Sequence, residues 1–206
     1  MSAKELDITT EEKIKQAAKA VFQKKGFAAT RTRDIAEEAD INLALLNYYF
    51  RSKEKLFGII MEESLRDFLQ SLTSVIGDEN TSLSEKIPLI VDRYIAMLLA
   101  NRNMPMFILS EIHQNPELLV AKFNIKEIMM KSAFVRQFQQ AVAAGEIAEM
   151  HVFQFLMNIM GLVIFPFMAA PMLKQIGDLQ EEQFIALIME RKKLIPLWIN
   201  AILKKT

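Results

Sequence analysis

Residues 34–50, Asp-Ile-Ala-Glu-Glu-Ala-Asp-Ile-Asn-Leu-Ala-Leu-Leu-Asn-Tyr-Tyr-Phe, constrain this chain more than any other stretch. The spacing of apolar positions predicts two short helices around a tight turn. Ile35, Ala36 and Ala39 share a face of the first, Asp40-Ile41 makes the turn, and Asn42 caps a second helix that buries Leu46, Tyr49 and Phe50. The residues left outside, Leu43, Ala44, Leu45, Asn47 and Tyr48, carry no charge, whereas a surface helix ordinarily presents Lys and Glu. A face of that composition is built to touch something.

The flanks extend this pair into a three-helix unit. Thr9 and Glu12 form a capping-box pattern ahead of Ile14, Ala17, Ala18, Val21 and Phe22 at helical spacing; Gly26 supplies a stop, and Thr30 is read as the cap of the next helix. Ser52-Lys53-Glu54-Lys55 then opens a further helix carrying Leu56, Ile59, Ile60, Leu65, Phe68 and Leu72, with no flexible linker between. Movement in one part can therefore pass to the other through this helix. Ser82 and Glu85 mark the next start, Asn115-Pro116 another, Gly145 a stop, and helices are expected over 150–170 and 184–203. The reading is all-α with about nine helices, no alternating strand pattern and no internal repeat. It divides into a small unit at residues 1–51 and a larger helical domain at 52–206.

With 51% hydrophobic residues the chain can bury a sizeable core. Cysteine is absent, which removes disulfides, thiolate metal sites and a cysteine nucleophile, and fits a reducing cytosol. The first residues lack the apolar run of a signal peptide, so a cytoplasmic location is expected. Net charge is zero, with a mild excess of eleven Lys/Arg over nine Asp/Glu in residues 1–56. Position matters more than that excess: Arg31, Arg33, Arg51, Lys53 and Lys55 bracket the uncharged face.

Residues 155–173 are apolar enough to imitate a membrane span, but Pro166 and Pro171 interrupt them, and His151, Gln154 and Asn158 recur on one face. The last helix carries Phe184, Leu187, Ile188, Leu194, Trp198 and Ile202 on one stripe. Two such neighbouring helices point to a subunit interface, with Phe155, Phe184, Ile188, Trp198 and Ile202 as its candidates; a thick intramolecular core is the alternative. No membrane partner is expected.

Catalytic chemistry has little to stand on. His113 and His151 are the only histidines, neither has metal-ligand spacing, and no Gly-rich phosphate loop occurs. No catalytic group, metal or cofactor is therefore assigned, and the chain is not read as an enzyme. Of thirteen methionines, eleven lie from Met97 onward among many phenylalanines, a composition that can line an adaptable apolar cavity or simply fill a helical core. Met97, Phe107, His113, Phe123, Phe134, Phe138 and Phe155 are the candidate pocket residues.

The helix-turn-helix reading carries the specific chemistry. Asn47 can pair bidentately with adenine, Ala44 or Leu45 can meet a thymine methyl, and Tyr48, Arg33 and Lys53 can hold the backbone. Caps at Thr30 and Asn42 leave helix N-termini free for phosphates.

Phe27-Ala28-Ala29-Thr30, Arg33-Asp34-Ile35-Ala36, Ala39 to Phe50 and Lys53-Glu54-Lys55-Leu56-Phe57 together resemble the TetR family of bacterial regulators over about residues 10–57. The resemblance implies an N-terminal helix-turn-helix, a C-terminal effector-binding domain and a homodimer built on the last two helices. It places DNA contacts at Thr30, Arg33, Asn42, Ala44, Leu45, Asn47, Tyr48, Tyr49 and Lys53. Three positions depart from the family pattern: Asp40 and Ala44 stand where Gly is common, and Asn47 where Tyr is common. The expected function is transcriptional regulation, as a repressor released from a palindromic operator in double-stranded DNA by a small apolar effector. A helical carrier of apolar molecules, or a related DNA binder answering to a protein partner, are the rival readings.

Overall fold

The computed structural model describes residues 3–114 and 116–204, with side chains from Thr10 onward. The described residues form twelve helices and no strand, so the expected all-α class holds and the count of nine is low. In chain order they are α1 (Ala3–Ala29), α2 (Thr32–Glu38), α3 (Leu43–Phe50), α4 (Lys53–Ile76), α5 (Leu83–Ala100), α6 (Met104–Gln114), α7 (Pro116–Lys122), α8 (Ile125–Met130), α9 (Ala133–Ala143), α10 (Val152–Met168), α11 (Ala170–Ile176) and α12 (Glu181–Leu203).

The extra helices have local causes. The single helix expected from residue 116 to Ala144 is three, because Asn124 adopts φ 51° and Ser132 caps α9 by accepting the Val135 N–H at 3.2 Å. The helix expected over 150–170 stops at Met168, and α11 leaves it at 69°. No single described helix is long and apolar enough to cross a membrane; only the bent pair α10–α11 meets the composition together. α1 begins at Ala3, so Thr9 lies inside a helix, while the Asn115 cap and the Thr9 side chain fall outside the described residues. Gly26, at φ 76°, halts the helical course of α1 as its sequence position suggested, since a Cβ is disfavoured there.

One hydrophobic core runs through the molecule from Ile14 to Leu203. The three N-terminal helices contribute Ile14, Val21, Phe22, Ile35, Leu46 and Phe50, a core too small to stand alone, and they rest on α4. α5 is the central element: Ile87, Val91, Ile95 and Leu98 are buried, and it packs against α4, α9, α10 and α12.

Two polar devices lie inside this apolar frame. Lys86 is fully buried; its ammonium donates to the Asp78 carbonyl at 2.6 Å, the Thr81 hydroxyl at 2.8 Å and the Thr81 carbonyl, pinning the loop between α4 and α5. In α10, Pro166 has no N–H to offer the Leu162 carbonyl four residues back. Arg191 of α12 supplies the missing donor at 2.6 Å and lies 5.1 Å over the Trp198 ring. This arginine repairs the proline's defect and ties the two helices together.

Candidate nucleic-acid interface

The turn between α2 and α3 is built by backbone bonds from Ala39 to the Ile35 carbonyl at 2.9 Å and from Ile41 to the Ala36 carbonyl at 3.0 Å. Asp40 between them takes φ 49°, a conformation that Asp tolerates better than most residues. Asn42 caps α3, its carboxamide oxygen accepting the Leu45 N–H at 2.8 Å. Leu46 and Phe50 are buried, and this fixes the opposite face outward: Asn42, Ala44, Asn47 and Tyr48 are exposed, Tyr48 at 77%, with Leu45 half-buried. Tyr48 meets Tyr49 edge-on at 5.4 Å, and Tyr49, half-buried, also leans on the core. Arg33 is exposed.

Two candidates are used differently from expectation. Thr30 is 2% exposed, and its hydroxyl donates to the Gly26 carbonyl at 2.7 Å; the residue capping α2 is Arg31. A hydroxyl so engaged offers nothing to a phosphate. The Arg31 N–H donates to Asp34 at 2.8 Å, and this bond, with Lys25 at 3.0 Å, holds the Asp34 carboxyl below the ordinary carboxylate range. Lys53 turns inward: its ammonium donates to the carbonyls of Phe27 at 3.0 Å and Thr30 at 2.9 Å and sits 4.3 Å over the Phe27 ring. It clamps the start of α4 to the end of α1, with one proton left for anything outside.

This clamp is one of several joining the reading unit to the rest. Gln23 donates to the Ala100 carbonyl at the end of α5, and Lys15 bridges Glu63 of α4 at 2.8 Å. Phe57 of α4 packs on Phe22 at 5.2 Å, Phe27 at 4.5 Å and Phe107 of α6 at 6.2 Å. Phe107 thus belongs to a junction rather than to a cavity wall. Gln23 and Lys15 escaped the sequence reading because a polar residue on an exposed helix face carries no signal of its distant partner.

The other pocket candidates do not surround one cavity. Phe134, Phe138 and Phe155 are fully buried, Phe155 packing on the other two at 5.8 and 5.1 Å, and of the three only Phe138 also borders a small crevice, about 230 Å³, beside His151. His113 is exposed, its ring bonded to the Leu109 carbonyl at 2.8 Å, and His151 caps α10 by accepting the Phe153 N–H at 3.2 Å; each serves its own helix. Met97 borders a small crevice of about 290 Å³ between α1, α4 and α5. Phe123 alone of the set lines an open cleft of about 580 Å³, where Leu69 and Thr73 of α4 face Phe123 and Ile128.

Among the interface candidates, Phe155, Phe184 and Ile188 point into the core, while Trp198 and Ile202 are exposed at about 40%. The outward apolar stripe on α10 is Phe153, Met157, Met160 and Met168, and on α12 it is Leu187, Leu197, Trp198 and Ile202. A 3.6-residue period leaves two apolar faces on each helix, and only packing against α5 decides which one is inside. Gln154 and Asn158 are exposed. No group of three or more His, Asp or Glu suited to a metal ion occurs among the described residues.

A capped, uncharged recognition helix held out by a tight turn, on a small three-helix unit, defines a helix-turn-helix DNA-binding protein. Residues 14–58 match the family described as "Bacterial regulatory proteins, tetR family". The chain is 24% identical to the "Probable HTH-type transcriptional regulator YttP" of Bacillus subtilis (strain 168), over 97% of its own length and 96% of the relative's. It is 35% identical to the "HTH-type transcriptional repressor NicS" of Pseudomonas putida over 42% of each chain. The fold is shared with the transcriptional regulator FadR from Bacillus subtilis, solved in complex with stearoyl-CoA, at a TM-score of 0.55 and 21% identity, covering 89% of this chain and 96% of that one. A regulator of the TetR/AcrR family from Thermobifida fusca aligns at a TM-score of 0.60 and 20% identity, over 90% and 96% of the two chains. Residues 14–58 are thus a TetR-family helix-turn-helix domain, and the chain is a DNA-binding transcriptional regulator.

Proposed function

We propose that this regulator is a cytoplasmic homodimeric repressor that binds a palindromic operator and leaves it when a largely apolar small molecule enters the domain at residues 52–206. The observation that carries the reading is the outward face of α3, where Ala44, Asn47 and Tyr48 stand exposed without charge behind the Asn42 cap. Asn47 presents a carboxamide suited to adenine, Ala44 and Leu45 present methyl groups to thymine, and Tyr48, Tyr49 and Arg33 hold the backbone. Two such helices in a symmetric dimer read half-sites about 34 Å apart.

The apolar stripes of α10 and α12 support dimerisation, because a contiguous exposed patch carrying Phe153, Met157, Trp198 and Ile202 would otherwise be an aggregation hazard. The buried Nε of Arg191, left without an acceptor beside Trp198, lies at the border of the same patch. The 580 Å³ cleft against α4 is the effector site this reading selects, having Leu69, Phe123 and Ile128 for an apolar molecule and exposed Arg66 at its rim. A regulator of the same fold was solved with stearoyl-CoA, which makes long acyl compounds the first effectors to test. An occupant there bears on Leu69 and Thr73, and α4 runs unbroken from those residues to the Lys53 clamp. Effector binding then works by population shift, favouring a dimer in which the two α3 helices no longer match the half-sites.

Selection of bound genomic fragments by the purified protein, repeated with stearoyl-CoA present, tests the reading. The expected result is a palindrome with half-sites about ten base pairs apart, depleted when the acyl compound is added. Absence of any selected sequence refutes DNA reading, and selected DNA that acyl compounds never release transfers control to another partner. For the interface, Trp198→Glu is expected to sediment as a monomer with weak operator binding; a stable dimer removes α12 from it.

A further inference from the structure

Only Arg51 and Ser52 separate the recognition helix α3 from α4. The Arg51 N–H donates to the Asn47 carbonyl at 3.0 Å, so the chain enters Arg51 on a helical course, and the Ser52 N–H then donates to the Phe50 carbonyl at 2.6 Å. That second bond spans a single residue and closes a γ-turn of the rare, strained hand around Arg51, at φ 58° and ψ −38°. The turn itself serves the fold. It redirects the chain at once, letting Ser52 cap α4 with its hydroxyl accepting the Lys55 N–H at 3.1 Å.

Arginine, however, is a poor residue for such a turn. Among the described residues, the other non-glycine residues at positive φ are Asp40, Asn124 and Asp178, of the two types that best tolerate that backbone. Arg51 has no such side chain, and its ψ lies far from the left-handed region near +30 to +60°. Glycine would fit here without a Cβ to strain the turn. Within the described residues nothing offsets the strain, since the Arg51 side chain is exposed and makes no hydrogen bond or ion pair.

Its place along α3 says where the compensation lies. Arg51 follows Asn47 by four residues and Tyr48 by three, the spacing of neighbours on one helix face, and so ends the stripe on which Ala44, Asn47 and Tyr48 are exposed. A cation at the end of an uncharged reading surface is placed for a phosphate, while the stripe itself meets the bases. Lys53, the other cation at this end of α3, is turned inward onto the Phe27 and Thr30 carbonyls. We infer that Arg51 is a further DNA-positioning residue, its guanidinium holding a phosphate beside the C-terminal end of α3, and that this contact keeps arginine in a turn that suits glycine. The inference rests on the reading of α3 as the recognition helix. A cation at this end of a helix also answers the helix dipole, but a residue kept for that purpose stabilises the fold, whereas Arg51 strains it.

The full-length protein is compared with Arg51→Gly, Arg51→Ala and Arg51→Lys in two measurements. One is thermal unfolding without DNA; the other is binding, across a salt series, to a genomic fragment selected by the unaltered protein and to a random-sequence duplex of the same length. Arg51→Gly is expected to raise Tm by about 2–4 °C as the strain is relieved. It is also expected to lower the slope of log affinity against log salt by about one per protomer and to weaken both duplexes alike, about fivefold per protomer near 0.15 M salt. A protein that is more stable yet binds less tightly does not owe the loss to unfolding. Arg51→Ala, which keeps the strain and loses the guanidinium, is expected to match Arg51→Gly on DNA and the unaltered protein in Tm. Arg51→Lys is expected to keep both the slope and the Tm. A fall in Tm for Arg51→Gly assigns the side chain to the helix end, an unchanged slope removes it from the phosphates, and a loss confined to the selected fragment makes it a base reader; each overturns the proposal. If the unaltered protein selects no fragment, the recognition-helix reading falls and Arg51 falls with it, whereas a selected fragment bound by Arg51→Gly with the parent's slope overturns the role of Arg51 alone.

Discussion

Replacing Lys53 by Ala separates two physical roles that the sequence alone merges. A lysine just after a recognition helix reads as a phosphate anchor, yet its ammonium donates to the Phe27 and Thr30 carbonyls at 3.0 and 2.9 Å and lies 4.3 Å over the Phe27 ring. Hydrogen bonds from a charged donor contribute about 1.5–3 kcal/mol each, and an exposed cation–π contact about 0.5–1 kcal/mol. The side chain is half-buried, so water replaces part of this when it is removed, and a net loss of about 2–3 kcal/mol is expected. Against a typical total of about 5–15 kcal/mol, that is enough to shift a urea midpoint clearly. A dedicated phosphate contact behaves otherwise: its loss lowers the slope of log affinity against log salt by about one and leaves folding alone. Urea unfolding of the full chain, paired with operator binding across a salt series, reads both. The expected result is a lowered midpoint with a nearly unchanged slope. An unchanged midpoint with a slope reduced by about one would refute the clamp.

Asn47→Ala is expected to cost about 1–3 kcal/mol of operator affinity and to relax preference at one base position; equal losses on all sequences would remove Asn47 from base reading. The Asp34 carboxyl, held low by the Arg31 N–H and then by Lys25, adds stability above the ordinary Asp range that fades as pH falls through its lowered value. Asp34→Asn should therefore flatten the acid limb of an unfolding midpoint measured against pH, and an unaltered limb rejects the cap. Arg191→Met strands the Leu162 carbonyl and should destabilise the protein by about 1–3 kcal/mol. In a Pro166→Ala background, which restores the helical N–H, that loss should shrink; strict additivity in the double-mutant cycle would mean that Arg191 does not act through Leu162.

The parts legible in the sequence are those fixed by local chemistry. Asn42, Ser52 and Ser82 cap the helices they precede, Gly26 and Gly145 sit at positive φ where helices stop, and the buried pattern Ile35, Ala36, Leu46, Phe50 follows from spacing alone. Where a side chain had two chemically reasonable partners, the sequence could not choose between them. Thr30 could cap α2 or bond back to Gly26, and Lys53 could meet a phosphate or two carbonyls. Phe155 and Ile188 belong to helices apolar on both faces, so only packing against α5 decided which stripe went inside. Pro166 was visible, but its real message was the stranded Leu162 carbonyl, and nothing local to it points at Arg191.

These contacts bear on how DNA would be released. The three-helix unit is sewn to the larger body at several points: Lys53 to the end of α1, Gln23 to the end of α5, Lys15 to Glu63, and Phe57 wedged between Phe22 and Phe107. A core continuous from Ile14 to Leu203 leaves no hinge at residues 51–52, where a division by function falls. Release by loosening or unfolding the reading unit would break charge-assisted bonds and aromatic packing together, at a cost beyond what differential binding of one small molecule commonly supplies. Moving that unit as a body with α4 breaks none of them. A change of tilt in α4 by a few degrees at Leu69 and Thr73 would be carried along the helix to Lys53. In a two-fold dimer it would act on both half-sites at once, altering the separation on which operator fit depends.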